Sequence, residues 1–519
     1  MLPPNPSCKG VAGASLPFTR GGLGWGKDLR SNSKYFVPFK RAIHTNFAFS
    51  KDIYMKQLSH TVEFDAALLN QYNQPLPRYT SYPPATELST QFDRNAFQTA
   101  ISVGNHRQTP LSLYCHIPFC EKPCYFCGCN TIITQRKEVA EPYLGYLARQ
   151  IHQVASLVDP DRRVHQLHWG GGTPNYLDLQ QVEFLWNQFN QNFRFAPGAE
   201  ISIEINPSYV DREYILFLRQ LGFNRISFGI QDFNPQVQEA INRVQPEAML
   251  FDVMAWIREA GFESVNVDLI YGLPFQTQST FQETVQKTLQ LNPDRIAVFN
   301  FAYIPWLKPV QKRMPTAAMP STAQKLKILQ NTIAQLTQNG YVFIGMDHFA
   351  KPSDELAIAQ RNGQLHRNFQ GYTTQPESDL LGFGMTSISM LQDVYCQNQK
   401  GLKDFYQSID AGELPIERGL RLSQDDLIRR TVIMELMCQF QVLTSDFEAK
   451  YHLGFDRDFN DYFAKELPAL DALEADGLIV RWGDGIEVTP SGRLLIRNIA
   501  AVFDTYLGNR PVETFSKAI

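Results

Sequence analysis

Between about Leu111 and Asp347 the chain alternates short apolar, β-branched runs with longer helical stretches, and this alternation constrains the fold most. The strand runs are LSLYCHI from Leu111, VHQLHWG from Val164, EISIEIN from Glu200, NRISFGI from Asn224, SVNVDLIYG from Ser264 and RIAVFNFAYI from Arg295. Helical stretches such as PYLGYLARQIHQVASLV, DREYILFLRQLG and AMLFDVMAWIREAG lie between them. Successive βα units with right-handed crossovers make a parallel sheet. About six repeats in one direction predict an α/β fold, an open or partial TIM-like (β/α)6 barrel with its chemistry at the C-terminal strand ends.

The rest of the chain reads differently. Residues 1–54 are basic: from Met1 to Ser50 there are seven Lys or Arg against the single acid Asp28. A basic, acid-poor N-terminus can be an organelle transit peptide, but no convincing amphipathic helix or secretory apolar core accompanies it. The favoured reading is therefore a disordered extension, or upstream sequence ahead of a working start at Met55. Residues 55–110 form a Pro-interrupted lead-in containing PLPRYTSYPPA, 111–420 the barrel with additions, and 421–519 a mainly helical C-terminal domain. That last domain carries a hairpin expected at Gly483-Asp484-Gly485 and resembles a winged helix. Its helix SQDDLIRRTVIMELM mixes charge signs, and the whole chain carries a net charge of −4. Nucleic acid is therefore not the expected partner. No run of 18 apolar residues occurs, so no membrane span is expected.

Five of the eight cysteines fall within YCHIPFCEKPCYFCGCN, from Tyr114 to Asn130. Thiols clustered in a long chain point to metal binding in the cytoplasm rather than to a disulfide framework. Cys120, Cys124 and Cys127 are spaced Cys-x-x-x-Cys-x-x-Cys just after the first strand. Three thiolates on one short loop can hold three irons of a cubane, whereas structural zinc wants distant Cys-x-x-Cys knuckles that are missing. Cys129 could close the cluster, leaving it able only to pass electrons, or leave the fourth iron open to a ligand.

Other polar groups converge on the same strand ends. Gly170, Gly171 and Gly172 follow a strand directly, where glycine allows backbone to approach a ligand. The two-residue period of ISIEIN puts Ile201, Ile203 and Ile205 on one face and Ser202, Glu204 and Asn206 on the other. Glu204 then points into the barrel, where a carboxylate needs partners. By the same period Gln231 shares a face with Arg225, Ser227 and Gly229, and Asp268 with Asn266.

The cysteine spacing, with Phe126 before the last cysteine, resembles the signature loop of radical S-adenosylmethionine (radical SAM) enzymes. HWGGGTPNYL, SFGIQDFN, DLIYGLP, FNFAYIP, GMDHFA, LHRNFQGYTTQ, PRYTSYP and GRLLIRNIAAVFDTYL extend the resemblance from about residue 60 to the C-terminus. Together they are similar to the oxygen-independent coproporphyrinogen III oxidases (dehydrogenases). The resemblance implies a radical SAM barrel and a reaction. Two propionates of coproporphyrinogen III are oxidatively decarboxylated to vinyl groups, giving protoporphyrinogen IX in haem biosynthesis. A propionate β-hydrogen is too weakly acidic for a tuned base, so a 5′-deoxyadenosyl radical removes it as an atom. Expected cofactors are a 4Fe–4S cluster with one open iron and S-adenosylmethionine, with a second S-adenosylmethionine nearby. The expected electron donor is a low-potential protein such as flavodoxin or ferredoxin, and the chain is expected to be a monomer.

The resemblance also assigns residues. Cys120, Cys124 and Cys127 match the cluster ligands, and Cys129 matches a family cysteine that is not a ligand. Tyr114, Gly171, Glu204 and Ile388 match positions around the cluster-bound S-adenosylmethionine. Phe126, Gly172, Thr173, Gln231, Arg243, Asp268 and Ala302 match positions around the second molecule. Phe369 and Gln370 match active-site positions. Cys115 stands where the family usually has an aliphatic residue and reads as a small buried side chain. The substrate's four carboxylates call for arginines, and Arg78, Arg367, Arg421 and Arg430 are the candidates. The rival within the superfamily, a haem chaperone, lacks the extra cysteine of CGCN, the PRYTSYP lead-in and the Arg243 position.

Overall fold

All six expected strands form, and they lie side by side in chain order. The computed structural model describes residues 62–376, 378–451 and 458–509. The strands are β1 (Leu111–Ile117), β2 (Arg163–Gly171), β3 (Arg194–Ile205), β4 (Arg225–Gln231), β5 (Ser264–Tyr271) and β6 (Arg295–Asn300). Each pairs with the next in parallel. The helices between them include α1 (Ala140–Ala155), α2 (Leu179–Asn192), α3 (Arg212–Leu221), α4 (Glu247–Ala260) and α5 (Gln278–Leu291). Local chemistry sets their ends. Asp178 and Gln181 form a capping box at the start of α2, and Gly222, at φ 110°, closes α3 in the left-handed conformation that glycine tolerates.

The sheet continues past these six. Next come β7 (Val342–Gly345), β8 (His348–Ala350), a two-stranded hairpin β9 (His366–Asn368) and β10 (Gly371–Thr373), then β11 (Asp379–Phe383), β12 (Ile388–Leu391), β13 (Val394–Asn398) and β14 (Ile416–Arg421). Among the described residues the main sheet holds twelve strands, ordered β14-β13-β12-β11-β1-β2-β3-β4-β5-β6-β8-β7. β11 is parallel to β1, whereas β8 runs antiparallel to β6 and β12 to β11. The sheet is thus an open barrel wall extended at both edges by antiparallel strands. These additions escape sequence reading because several are only three or four residues long, too short for a period to show.

Register makes one face polar. Tyr114 lies opposite His168, His168 opposite Ser202, Glu204 opposite Ser227, Ser227 opposite Asn266, and Gly229 opposite Asp268. The alternate residues Leu113, Cys115, Leu167, Trp169, Ile203, Ile226 and Val267 are fully or almost fully buried. Trp169 packs on Phe189 of α2 and edge-on against Phe223. Burying each such side chain favours folding by about 1.5–3 kcal/mol, so the helices cover the apolar face and the polar face is left concave. Cys115 is fully buried, as expected, and burial raises its thiol pKa well above the ordinary value.

The C-terminal region begins with α6 (Gln424–Gln439). Its expected hairpin is β16 (Ile479–Trp482) and β17 (Gly485–Val488), but Gly485 pairs with Trp482 and belongs to the strand, leaving Gly483 and Asp484 as the turn. A strand absent from the sequence reading, β15 (Gln441–Leu443), pairs with β17. The lead-in is clamped to this region: Tyr79 donates to Asp504 at 3.0 Å, and Arg497 Nε donates to the Pro77 carbonyl at 2.9 Å. One hydrophobic core runs from Leu69 to Phe503, through all three parts expected after residue 54. The readings of residues 1–54 lie outside the described residues. Among the described residues no helix is long and apolar enough to cross a membrane.

Candidate active site

A cavity of about 720 Å³ opens at the C-terminal ends of β1–β6. It is lined by Cys120, Cys124, Phe126, Cys127 and Cys129 from the loop after β1, by Gly171, Gly172 and Thr173 after β2, and by Glu204, Gln231, Arg243, Asp268 and Ala302. Thirteen residues singled out from the sequence therefore meet in one place. They meet because parallel strands bring all their C-terminal ends to one rim.

The cysteine loop is held mainly by groups that sequence reading missed. Asn242 donates to the Pro123 carbonyl at 2.7 Å, and the Tyr125 N–H donates to the Ile241 carbonyl at 2.9 Å. Lys308 donates to the Cys129 carbonyl at 2.8 Å, and the buried Gln311 reaches the Phe126 and Ala302 carbonyls at 3.3 and 3.2 Å. These residues lie in irregular segments far along the chain, with no period or spacing to mark them.

The thiols are distinct. Cys120 lies 3.2 Å from the Thr173 hydroxyl, and burial raises its pKa to about 11 against the opposing effect of that hydroxyl. Cys127 is lowered to about 6, first by the hydrogen bond from the Cys129 thiol, then by the Cys129 N–H at 3.4 Å and by Lys308 and Arg243. Arg243 Nη1 sits 3.5 Å from the Cys124 sulfur while Nη2 donates to the Gly229 carbonyl at 2.8 Å. Thiolates are the metal-binding form, so nearby cations and N–H donors suit a ligand loop. Three thiols of one short loop on one cavity suit a polynuclear cluster, where each sulfur meets its own iron.

The opposite wall suits a polar organic ligand. Glu204 accepts from His168 Nε2 at 3.4 Å and from the Gly171 N–H at 3.3 Å. Enclosure works to raise its pKa, but these donors outweigh that and hold it below the usual carboxylate value. His168 is fixed by Ser202 at 2.7 Å, and the Tyr114 ring stacks on it at 5.9 Å. Tyr114 also meets His116 at 3.1 Å, so it supports the wall from behind rather than lining it. The two-residue period of β1 and β2 would have flagged His116 and His168. Gln231 is buried with its Oε1 unpartnered, an acceptor left for a ligand donor. Its φ of 69° accompanies a bulge in the β4–β5 pairing, which the plain alternation did not foresee. A Cβ on Gly172 would lie 2.7 Å from the Pro118 carbonyl, so only glycine fits where these two loops touch.

Asp268 is raised to about 7, chiefly by burial, with the Asn266 hydrogen bond opposing. The folded chain therefore holds this proton more tightly than the unfolded one. Its contribution to stability is full below the ordinary aspartate value and is lost as pH rises toward about 7. The Asp268→Asn variant of the cofactor-free protein is expected to show a flatter fall in denaturant midpoint between pH 5 and 7.5. An unchanged slope would refute the assignment.

The remaining candidates fall elsewhere. Gln370 enters a second chamber that shares Glu204, Ser227, Asp268 and Phe299 with the main cavity. Phe369 turns the other way, edge-on to Tyr395 at 5.3 Å, and Ile388 lines neither space. Arg78 pairs with Asp347 in a third chamber of about 780 Å³, which shares Asn300, Phe301, Ala302 and Ile304 with the main cavity. Arg421, exposed and paired with Asp393 at 3.3 Å, lines a groove at the start of β1 and β11, and Arg430 lines it too. Arg367 lies in the adjoining cavity with Leu380 and Met390. Only Arg78 therefore stands at the cysteine end of the strands.

Comparison with known proteins agrees with this geometry. The Radical SAM superfamily model matches residues 114–288, and the HemN C-terminal domain model matches residues 422–495. The chain is 72% identical over 460 residues to the oxygen-independent coproporphyrinogen III oxidase of Synechocystis sp., covering 88% of this chain and 99% of the relative. It is 50% identical over 459 residues to the protein of that name from Escherichia coli, again covering 88% and 99%. The solved structure of coproporphyrinogen III oxidase (HemN) from Escherichia coli, titled a radical SAM enzyme, superposes with a TM-score of 0.82 over 86% of this chain and all of that one. Likeness of this extent, running through both the cysteine-ringed barrel and the C-terminal region, makes the chain a member of the oxygen-independent coproporphyrinogen III oxidase family of radical SAM enzymes.

Proposed function

We propose that the chain converts coproporphyrinogen III to protoporphyrinogen IX without dioxygen, by oxidative decarboxylation of two propionates in haem biosynthesis. The observation that carries this reading is a single cavity lined by Cys120, Cys124 and Cys127 together with Glu204, Gln231, Arg243 and Asp268. When bound, a 4Fe–4S cluster with S-adenosylmethionine supplies a 5′-deoxyadenosyl radical able to take a hydrogen atom from an unactivated carbon.

The chain's own residues bind, orient and shield. Cys120, Cys124 and Cys127 would hold the cluster, and three ligands leave its fourth iron open. Cys129 would be a neighbour of the cluster rather than a fourth ligand, with its place in the loop fixed through its carbonyl by Lys308. Glu204 and the Gly171 backbone would take the first S-adenosylmethionine, with Tyr114 and Ile388 behind them. Phe126, Gly172, Thr173, Gln231, Arg243, Asp268 and Ala302 would surround a second. Arg78, in the chamber that shares a wall with this cavity, would meet a substrate carboxylate. Gln370 would approach the reacting group, and Phe369 would anchor the hairpin that carries it. We further propose a low-potential flavodoxin or ferredoxin as donor, a monomeric chain, and the cytoplasm as its location. The clustered free thiols support that location.

The relatives' shared name favours this reading over a haem chaperone. Anaerobic incubation with coproporphyrinogen III, S-adenosylmethionine and a reductant should release 5′-deoxyadenosine and carbon dioxide and leave vinyl groups on the tetrapyrrole. Stoichiometric haem binding without any of these products would defeat the proposal.

A further inference from the structure

Two arginines lie in a cavity that the proposed reaction does not use. It measures about 520 Å³ and sits between the β9–β10 hairpin and α6, beside Leu380 near the start of β11. Arg367 is 5% exposed, and its Nε and Nη1 have no hydrogen-bond partner. Its described contacts are with uncharged Tyr372, through a side-chain hydrogen bond and the ring face, 4.5 Å from the guanidinium carbon. Arg430, half-buried, donates to the Gln392 carbonyl at 2.7 Å and the Tyr395 hydroxyl at 3.3 Å, both uncharged. Buried arginines are ordinarily paired, since a guanidinium loses several kcal/mol of hydration on burial. Among the described residues neither forms an ion pair, and although Asp393 lies close enough to act on Arg430, two guanidinium charges on a single cavity favour an anion there.

We propose that this cavity is an anion site, in which Arg367 and Arg430 grip the carboxylate or phosphate head of a small organic molecule. Its remaining walls supply both selectivity and fit. Leu365, Leu380, Met390 and Met434 suit an apolar body, and the volume lies in the range of small-ligand pockets. Lys450 adds a third cation, and Glu435 and Asp446 add carboxylates on the same lining. Burial raises Glu435 to about 7, which weakens its opposition to an anion near neutral pH. The site is separate from the cysteine cavity, with which it shares no lining residue. It touches the Gln370 chamber through Asn368 and Thr373, so its occupant would hold the hairpin that carries Gln370.

The test uses the full chain, loaded with its cluster and saturated with S-adenosylmethionine, without turnover. Titration calorimetry with 3-phenylpropionate should show one saturable site. Arg367→Gln and Arg430→Gln should each weaken it at least tenfold, about the worth of one charge-assisted hydrogen bond. Inorganic phosphate is the second probe. Displacement of phenylpropionate by phosphate assigns the site to the anionic head alone, and lack of displacement to a carboxylate with an apolar body; each supports the site. Should Arg367→Gln fail to take up the cluster, Arg430→Gln and Arg367→Lys carry the measurement. No saturable binding of either probe, unchanged binding in the folded Gln variants, or loss confined to Arg78→Gln would overturn the proposal. Because no product is measured, this outcome is independent of the proposed reaction.

Discussion

Serine in place of Cys120, Cys124 or Cys127 is expected to abolish turnover and remove the iron–sulfur absorbance, while serine at Cys129 leaves that absorbance intact. A serine hydroxyl ionises far less readily than a thiol and is a harder donor, so it cannot replace a thiolate toward iron. The surroundings make each of the three positions specific. Thr173 touches the Cys120 sulfur, Arg243 the Cys124 sulfur, and the Cys129 N–H the Cys127 sulfur. Cys129 itself is exposed at the cavity mouth, with its carbonyl held by Lys308. Serine keeps a hydroxyl able to donate to the Cys127 sulfur as the thiol does, while Lys308 holds the path of the loop. Absorbance spectra after anaerobic reconstitution, with iron and sulfide counts, decide the matter. Loss of the cluster in Cys129→Ser would make Cys129 a ligand and close the iron that the proposed chemistry needs open.

Methionine in place of Arg162 is expected to destabilise the chain by about 3–5 kcal/mol, the usual consequence of stripping one partner from a buried ion pair. Arg162 Nη2 meets Asp379 at 2.5 Å, with their side chains 0% and 2% exposed. The same guanidinium donates to the Thr109 carbonyl at 2.7 Å and to Asn105 at 3.1 Å. It ties the helix before β1 to the first residue of β11, where the sheet is extended. Burial holds Asp379 above its ordinary pKa despite Arg162 beside it, and an apolar pair of similar volume avoids that desolvation. Arg162→Met combined with Asp379→Leu should accordingly recover most of the loss. Denaturant midpoints of the cofactor-free protein measure both. A single variant within about 1 kcal/mol of the parent would show that the pair carries no structural weight.

Much of the candidate site is legible in the sequence alone, and for particular reasons. Glu204 and Asp268 follow from a strand's alternation of side chains between faces, with three isoleucines in β3 declaring which face is buried, whereas Gln231 reaches the cavity across a bulge. Cys120, Cys124 and Cys127 stand out because they recur at short spacings on one loop, and all three line the cavity. Lys308, Gln311 and Asn242 were not found, because a side chain that holds a distant loop by its carbonyl obeys no local period. Carboxylate chemistry groups Arg367, Arg421 and Arg430 with Arg78, but no local period says which cavity each lines. Arg78 lines the chamber that adjoins the cysteine cavity, and the other three line cavities near the start of β11.

The sequence by itself determined the βα order, the inward face of each strand and the thiol loop. These follow from bond geometry and side-chain burial within a few residues, so they are written locally. Tertiary structure alone decided which strand ends share a rim, that the sheet stays open and grows antiparallel edges, and which arginines stand near the thiols. Those outcomes depend on pairings between residues far apart in the chain. Their energies exist only once the backbone has closed the distance between them.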